Sequence, residues 1–129
     1  MTNQKIEVTV DSKNELNVND ILNAKIKLVN KNKSTIKNAM VTITIPQGFT
    51  TLEDRLMEME SKGIIEKYEM NYRTVNLYIS DFEDSEMINM DVQFRALYPV
   101  EITGLSVRAY DYYNPQIEGN SMPIEIVVN

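Results

Sequence analysis

Acidic side chains are the residues of this sequence that come closest to forming a chemical site. Four carboxylates lie close together at Asp81, Glu83, Asp84 and Glu86. Such a cluster could chelate calcium, or supply the two carboxylates of a glycosidase, which stand roughly 5 to 9.5 Å apart across a cleft. The spacing does not match the EF-hand loop, which needs a glycine at its bend, and the sequence has no tryptophan to form a sugar platform. We therefore interpret residues 81–86 as a solvated loop, with calcium binding as the alternative.

Histidine and cysteine are both absent from the sequence. Their absence excludes thiolate catalysis, cysteine-type zinc sites and disulfides, and it removes the commonest general base and metal ligand. There is no G-x-S-x-G nucleophile elbow, and four glycines in the whole chain leave no glycine-rich phosphate loop. We expect no catalytic, cofactor-binding or metal-binding residues, and we predict that the protein is not an enzyme.

The net charge of −6 argues against nucleic acid as a partner, because phosphate binding depends on clustered lysine and arginine. The charge is also uneven, with seven lysines against four acids in residues 1–37 and six cations against fifteen acids in residues 38–129. Lys31, Lys33 and Lys37 could form a basic patch. Because they alternate with asparagine and serine, they are more typical of a solvated hairpin tip.

One dense aromatic segment, Y-D-Y-Y, lies at residues 110–113. Tyrosines at the end of a strand can build a contact surface, since the ring buries area while the hydroxyl stays in water. Tyrosine also occurs at the corners of β-sandwiches, where its hydroxyl bonds to the backbone. From the residues alone we favour the structural role.

The length of 129 residues is typical of one domain, which we place at residues 1–129. Residues 1–17 contain no apolar signal region, and no segment approaches the ~18 apolar residues of a membrane span. We expect no membrane span in this chain. A signal peptide, if the natural protein is exported, would lie upstream.

Alternation of apolar and polar residues dominates the chain and predicts about eight short strands. The predicted strands lie at residues 5–10, 22–28, 39–45, 64–70, 75–79, 87–96, 105–109 and 122–128. Residues 30–38 and 80–86 have the composition of loops, and Pro99 and Gly104 bracket a connection. Turns recur about every 8 to 12 residues, which is typical of a β-sandwich.

A short helix is predicted within residues 50–63. Thr50 and Glu53 have the spacing of a capping box, and Gly63 stands where a left-handed C-terminal cap is expected. Apolar residues recur on one face of the helix: Leu52, Leu56 and Met59. At about three turns the helix is too short to be stable alone, so we expect it to lie on a sheet.

Five segments of the sequence resemble, in order, the C-terminal receptor-binding domain of the alpha-2-macroglobulin family. They are P-Q-G-F at 46–49, L-E-D-R-L-M-E-M at 52–59, G-I-I-E-K-Y-E at 63–69, V-N-L-Y-I at 75–79 and V-R-A-Y-D-Y-Y at 107–113. The resemblance covers residues 21–128. It implies a mainly β fold, an immunoglobulin-like antiparallel β-sandwich with one short helix inserted after a central strand.

The resemblance also implies a function without catalysis or cofactors. Macroglobulins trap proteases: a bait region is cut, the molecule rearranges, and the C-terminal domain becomes exposed. The chain would then be a structural and interaction module of a longer, extracellular or cell-surface protein, with other domains of that protein as partners. In the animal members, receptor binding uses two helix lysines four residues apart. Alignment on Gly48 and Phe49 places Glu53 and Met57 at those positions, so this kind of receptor recognition is not implied.

A second resemblance concerns the first half of the chain. L-N-V-N-D at 16–20, N-K-N at 30–32 and I-P-Q-G-F at 45–49 are similar to tandem immunoglobulin-like repeats of bacterial surface and adhesin proteins. Those repeats usually continue after P-x-G-F without a leucine-rich helix. Residues 52–62 and 107–113 therefore favour the macroglobulin resemblance.

Overall fold

Two β-sheets face each other across an apolar interior in the computed structural model, which describes residues 4–129. Residues 1–3, part of the predicted domain 1–129, lie outside the described residues. The elements in chain order are β1 (Ile6–Asp11), β2 (Glu15–Leu16), β3 (Ile21–Asn30), β4 (Ile36–Thr44), β5 (Phe49–Leu52), α1 (Asp54–Ser61), β6 (Lys67–Met70), β7 (Thr74–Phe82), β8 (Met87–Ala96), β9 (Val100–Asp111), β10 (Asn114–Asn120) and β11 (Ile124–Val128). Across residues 4–129, no helix is long and apolar enough to cross a membrane.

The smaller sheet has the order β1-β3-β8-β5, and the larger has the order β2-β11-β9-β4-β7-β6. Strand β10 also belongs to the larger sheet, where it pairs with β9 beside β11. Neighbouring strands are antiparallel, except that β2 runs parallel to β11. The predicted sandwich of antiparallel sheets with one short helix is confirmed.

The predicted alternation agrees with the observed burial in β1, β3, β4 and β8, whereas in the predicted strand 64–70 it is Ile65, between the predicted positions, that is buried. Residues predicted to point inward that are buried are Ile6, Val8, Leu22, Ala24, Ile26, Leu28, Val41, Ile43, Ile88, Met90, Val92, Phe94 and Ala96. Val10 and Ile45, also predicted inward, are half-buried. The predicted strands at 64–70 and 75–79 correspond to β6 and β7, which pair as a hairpin, although β6 begins only at Lys67 and Met70 is 42% exposed. Strand β8 has the predicted bounds.

Three predicted connections are partly wrong, because strands continue into them. Strand β4 begins at Ile36, inside the predicted loop 30–38, and Ile36 is buried. Strand β7 continues to Phe82, whose fully buried ring ties the predicted acidic loop to the core. Strand β9 begins at Val100 and includes Gly104, where the pairing with β11 shifts between Thr103 and Leu105 as in a β-bulge.

Strand β10 was not predicted. Its sequence, N-P-Q-I-E-G-N, lacks the apolar alternation of a half-buried strand, and only Gly119 within it is buried. Pairing with β9 holds it in place. Ser121, the residue after β10, bonds twice to Val107 of β9. Its backbone N–H donates to the Val107 carbonyl at 2.9 Å, and its side-chain Oγ accepts the Val107 N–H at 2.9 Å.

The predicted capping box at the helix start is wrong. Thr50 lies in β5 and pairs with Arg95 of β8, so its backbone is committed to a strand. The helix begins later, at Asp54, and Glu53 precedes it as an N-cap residue without a side-chain cap bond. The predicted end is confirmed: Gly63 has φ +75°, and its N–H donates to the Glu60 carbonyl at 3.1 Å.

The helix closes one side of the sandwich. Strand β5 pairs with β8 only at residues 93–96, and α1 contacts β8 as well as β6 at the edge of the larger sheet. Leu56 and Met59 are buried, as predicted, whereas Leu52 belongs to β5 and is half-buried. Arg55 Nε lies 3.4 Å from Asp91 Oδ2 of β8.

Candidate interaction surface

The acidic loop is organised by a buried asparagine. Asn30 Nδ2 donates to the carbonyl oxygens of Phe82 at 2.9 Å and Glu83 at 3.1 Å. The Glu86 carboxylate accepts the Glu83 N–H at 2.8 Å. Within residues 4–129, no group of three or more acidic side chains is arranged to hold a metal ion. The carboxylates of Asp84 and Glu86 thus form hydrogen bonds within the loop.

The lysines considered as a basic patch lie around the turn between β3 and β4. Lys31 Nζ is 3.8 Å from Glu7 Oε2, and both side chains are exposed. Lys33 has φ +64°, which fits a tight turn, and Lys37 is exposed in β4. An exposed pair of this kind contributes little free energy, so this region has the properties of a solvated turn.

The two positions that the family resemblance singles out carry one acidic and one apolar side chain and no cation. Met57 is 52% exposed and Glu53 is exposed. Glu53 Oε2 accepts the Tyr68 hydroxyl at 2.5 Å, and this hydrogen bond raises the pKa of Tyr68 to about 12. On the next turn, the hydrogen bond from Lys62 at 2.9 Å lowers the pKa of Glu58.

A row of side chains crosses the outer face of the larger sheet. The strand registers place five residues side by side, here called the tyrosine row: Lys67, Tyr78, Met40, Tyr110 and Glu118. They come from β6, β7, β4, β9 and β10, so the row spans five adjacent strands. The three central members, Tyr78, Met40 and Tyr110, belong to the aromatic and methionine types that are enriched at protein interfaces, which makes this face the candidate interaction surface.

One end of the row is held by a cation and a carboxylate. Lys67 Nζ lies 4.5 Å from the centre of the Tyr78 ring, a cation–π contact. The Tyr78 hydroxyl donates to Glu69 Oε1 at 2.5 Å. This hydrogen bond favours the protonated phenol and raises the pKa of Tyr78 to about 12.

The other end of the row is held by an arginine. Arg108 Cζ lies 4.1 Å from the centre of the Tyr110 ring, and Arg108 Nε is 2.9 Å from Glu118 Oε1. The hydrogen bond from Arg108 lowers the pKa of Glu118. The Tyr110 hydroxyl donates to Met40 Sδ at 2.8 Å. The hydrogen bond from the hydroxyl to the backbone, which is typical of a sandwich-corner tyrosine, is therefore not the one that Tyr110 forms.

Two exposed tyrosines extend the row beyond the end of β9. Tyr112 is 53% and Tyr113 is 78% exposed, and their rings meet edge to face with centres 5.2 Å apart. Beside them is a groove of about 270 Å³. We call it the tyrosine groove; its lining is Asn38, Ala39, Glu66, Lys67, Tyr78, Ile79, Tyr112 and Tyr113.

Residues 34–122, more than half of the chain, match the sequence model of the A-macroglobulin receptor binding domain. The chain belongs to this family. Strands β4 to β10, the helix and the whole tyrosine row lie within the match. No curated protein matches the sequence significantly.

Solved structures of bacterial macroglobulins share the fold of this macroglobulin domain. Native alpha-2-macroglobulin from Escherichia coli, from domain MG7 to the C-terminus, aligns with a TM-score of 0.82 at 11% identity, covering 99% of this chain and 24% of that chain. The E. coli protein activated by porcine elastase aligns with a TM-score of 0.81 at 11% identity, covering 99% of this chain and 13% of that chain. Salmonella alpha-2-macroglobulin reacted with methylamine aligns with a TM-score of 0.75 at 11% identity, covering 95% of this chain and 9% of that chain. This chain thus spans a quarter or less of those chains.

The tyrosine row of the macroglobulin domain was not predicted as a surface. The alternation pattern already assigns Met40 to the outward face of its strand. Tyr78 lies between the buried Leu77 and Ile79, and Tyr110 follows the buried Ala109. The alternation of a strand therefore indicates that both tyrosines point outward. The alternation pattern does not predict how the strands align with one another. Met40 pairs with Tyr78 and with Tyr110, which lie on segments far apart in the chain.

Proposed function

We propose that this chain is a non-catalytic module of a longer macroglobulin-like protein, folded as one unit over residues 1–129. The observation that carries the proposal is the family match at residues 34–122, which includes the helix between β5 and β6. This helix distinguishes the module from an ordinary immunoglobulin-like repeat of a surface protein. Its partners are other domains of the same protein and proteins that meet the module after rearrangement.

The longer protein, in this proposal, traps proteases outside the cytoplasm, in the extracellular space or at the cell surface. Support comes from the structural relatives, since the E. coli protein was obtained in forms activated by porcine elastase and by trypsin. The module itself contributes binding surfaces and no bond-breaking chemistry. The positions of the receptor-binding lysines in animal relatives are held here by Glu53 and Met57. The module therefore recognises a different partner in this proposal.

The test uses the full-length protein encoded by the complete reading frame. After incubation with elastase or trypsin, we expect limited cleavage at one region, a change in hydrodynamic radius, and retained protease that still cuts small substrates but not large proteins. A reading frame ending near Asn129 with no upstream β-domains would overturn the proposal, as would a full-length protein that proteases degrade without becoming trapped. The same assays on the 129-residue chain should detect no hydrolase activity.

A further inference from the structure

We infer that the tyrosine groove docks an arginine or lysine side chain presented by a protein partner. The inference rests on the proposed role as an interaction module and adds the place of contact and the chemistry of the partner. Four features carry it: the exposed rings, the hydrogen-bonded backbone that bears them, a cation already placed on a neighbouring ring, and the carboxylates around the groove.

The groove has the size of one long side chain. Its volume of about 270 Å³ lies just below the ~300–1,000 Å³ typical of small-molecule pockets. Tyr112 and Tyr113 present ring surface to solvent at its rim. Tyrosine contributes a large contact area for only two side-chain torsions, which makes it an effective anchor in protein recognition.

The two exposed tyrosines stand on a constrained turn between β9 and β10. The Tyr112 N–H donates to the Asn38 carbonyl of β4 at 2.8 Å. The Tyr113 N–H donates to Asp111 Oδ1 at 3.0 Å, and Asp111 pairs with Asn114 across the turn. Because the backbone is fixed in this way, a partner meets a preorganised surface and loses less entropy on binding.

Cations already occupy other tyrosine rings of the described chain. Lys67 lies on Tyr78 inside the groove, and among residues 4–129 the other such contacts join Arg73 to Tyr72 and Arg108 to Tyr110. Lys67 shows that the groove accommodates an ammonium group against an aromatic face. No cation of the described residues is placed on the rings of Tyr112 and Tyr113, which leaves them available to a partner.

Three carboxylates lie around the groove against one cation of its lining, Lys67, and this excess of negative charge favours a cationic partner. Glu66 lines the groove. Glu69 accepts the hydroxyl of Tyr78, and Asp111 accepts the N–H of Tyr113. In the part of the chain that the structure describes, none of these three carboxylates forms a salt bridge. The Glu66 carboxylate instead accepts the Ser80 hydroxyl. Residues 38–129 hold fifteen acids against six cations, so the wider field also attracts positive charge and repels nucleic acid.

The experiment measures binding of short peptides to the isotope-labelled 129-residue chain by NMR titration. Four peptide amides share a glycine–serine frame and carry arginine, lysine, citrulline or glutamate. Arginine and lysine peptides should shift the amide signals of residues 38–39, 66–67, 78–79 and 111–113. Citrulline, a neutral analogue of arginine, and glutamate should not.

Matched variants locate the contact. Replacing both exposed tyrosines, Tyr112→Ala with Tyr113→Ala, should lower the affinity for the arginine peptide about fivefold. Glu66→Gln should lower this affinity about twofold. Tyr72→Ala, which removes an exposed tyrosine at a distant turn, and Glu125→Gln, which removes an exposed carboxylate elsewhere on the same sheet, should leave affinity unchanged. Unchanged amide spectra outside the groove verify folding, and Tyr113→Ala alone replaces the double variant if that unfolds.

Three results would overturn the inference: no shifts with arginine, shifts confined to other surfaces, or equal affinity for the tyrosine variants and the parent chain. The protease-trapping test is independent of these outcomes. Loss of peptide binding leaves trapping by the full-length protein intact, and failure of trapping leaves the peptide titration of this chain interpretable.

Discussion

Gly119 of β10 lies directly against the backbone of Ile6 in β1: a Cβ atom at position 119 would be 1.7 Å from the Ile6 carbonyl oxygen. This contact joins the two sheets on the side opposite the helix. Lys5 strengthens it, since its N–H donates to the Glu118 carbonyl at 3.1 Å while its carbonyl accepts the Lys31 N–H at 2.8 Å. The close approach explains why the one buried residue of β10 is a glycine.

The substitution Gly119→Ala should lower the free energy of unfolding by at least about 3 kcal/mol, because two backbones must separate to admit one methyl group. Urea unfolding checks the value. Gly63→Ala is the control: no atom lies within 4 Å of its added Cβ, so only the left-handed backbone, φ +75°, is penalised, by about 1 kcal/mol. Equal losses for the two variants would contradict the proposed steric conflict.

Leu56→Asp should unfold the chain or destabilise it by at least about 3 kcal/mol, because the side chain is fully buried and the new carboxylate has no partner there. Met57→Asp is the matched control one residue later, where 52% exposure limits the loss to about 0.5 kcal/mol. Circular dichroism and thermal melting distinguish the two. If Leu56→Asp stays folded and loses only a partner, the helix stripe is an interface and not core.

Alkaline pH should destabilise the fold through Tyr78. Its pKa is raised from 10.0 to about 12 by the hydrogen bond to Glu69, so the native state keeps the phenolic proton after the unfolded state has lost it. The stabilisation is therefore complete below pH 10 and is lost as the pH rises through about 12. Ultraviolet titration should show a lower Tyr78 pKa in Glu69→Gln, and Tyr78→Phe identifies its signal. An unchanged titration in Glu69→Gln would contradict the assigned cause.

Calcium should leave the melting temperature unchanged, because the acidic residues at positions 81–86 are not arranged around a common point. Thermal melting in millimolar calcium and in a chelator is the direct measurement, with magnesium as the control for ionic strength. A ligand that binds the native state raises the melting temperature. A rise of several degrees with calcium alone would restore the metal-binding alternative for this loop.

Most strands could be predicted because burial imposes a two-residue period on them. In β8 the period is uninterrupted, and its bounds are as predicted. Strand β10 could not be predicted in this way, since it is held by backbone pairing and by a close contact at Gly119 rather than by buried side chains. The helix start was misplaced for a related reason: Thr50 has the chemistry of a cap, but pairing with β8 places it in a strand.

The sequence by itself determined the class of fold, the family, and the absence of histidine and cysteine chemistry. These are properties of composition, local period and motif order, which do not depend on distant contacts. Only the tertiary structure decided which surface the module presents. The tyrosine row and the tyrosine groove depend on strand register, because Lys67, Tyr78, Met40 and Tyr110 become neighbours only when β6, β7, β4 and β9 pair. Register is a long-range property, and no single segment of the chain specifies it.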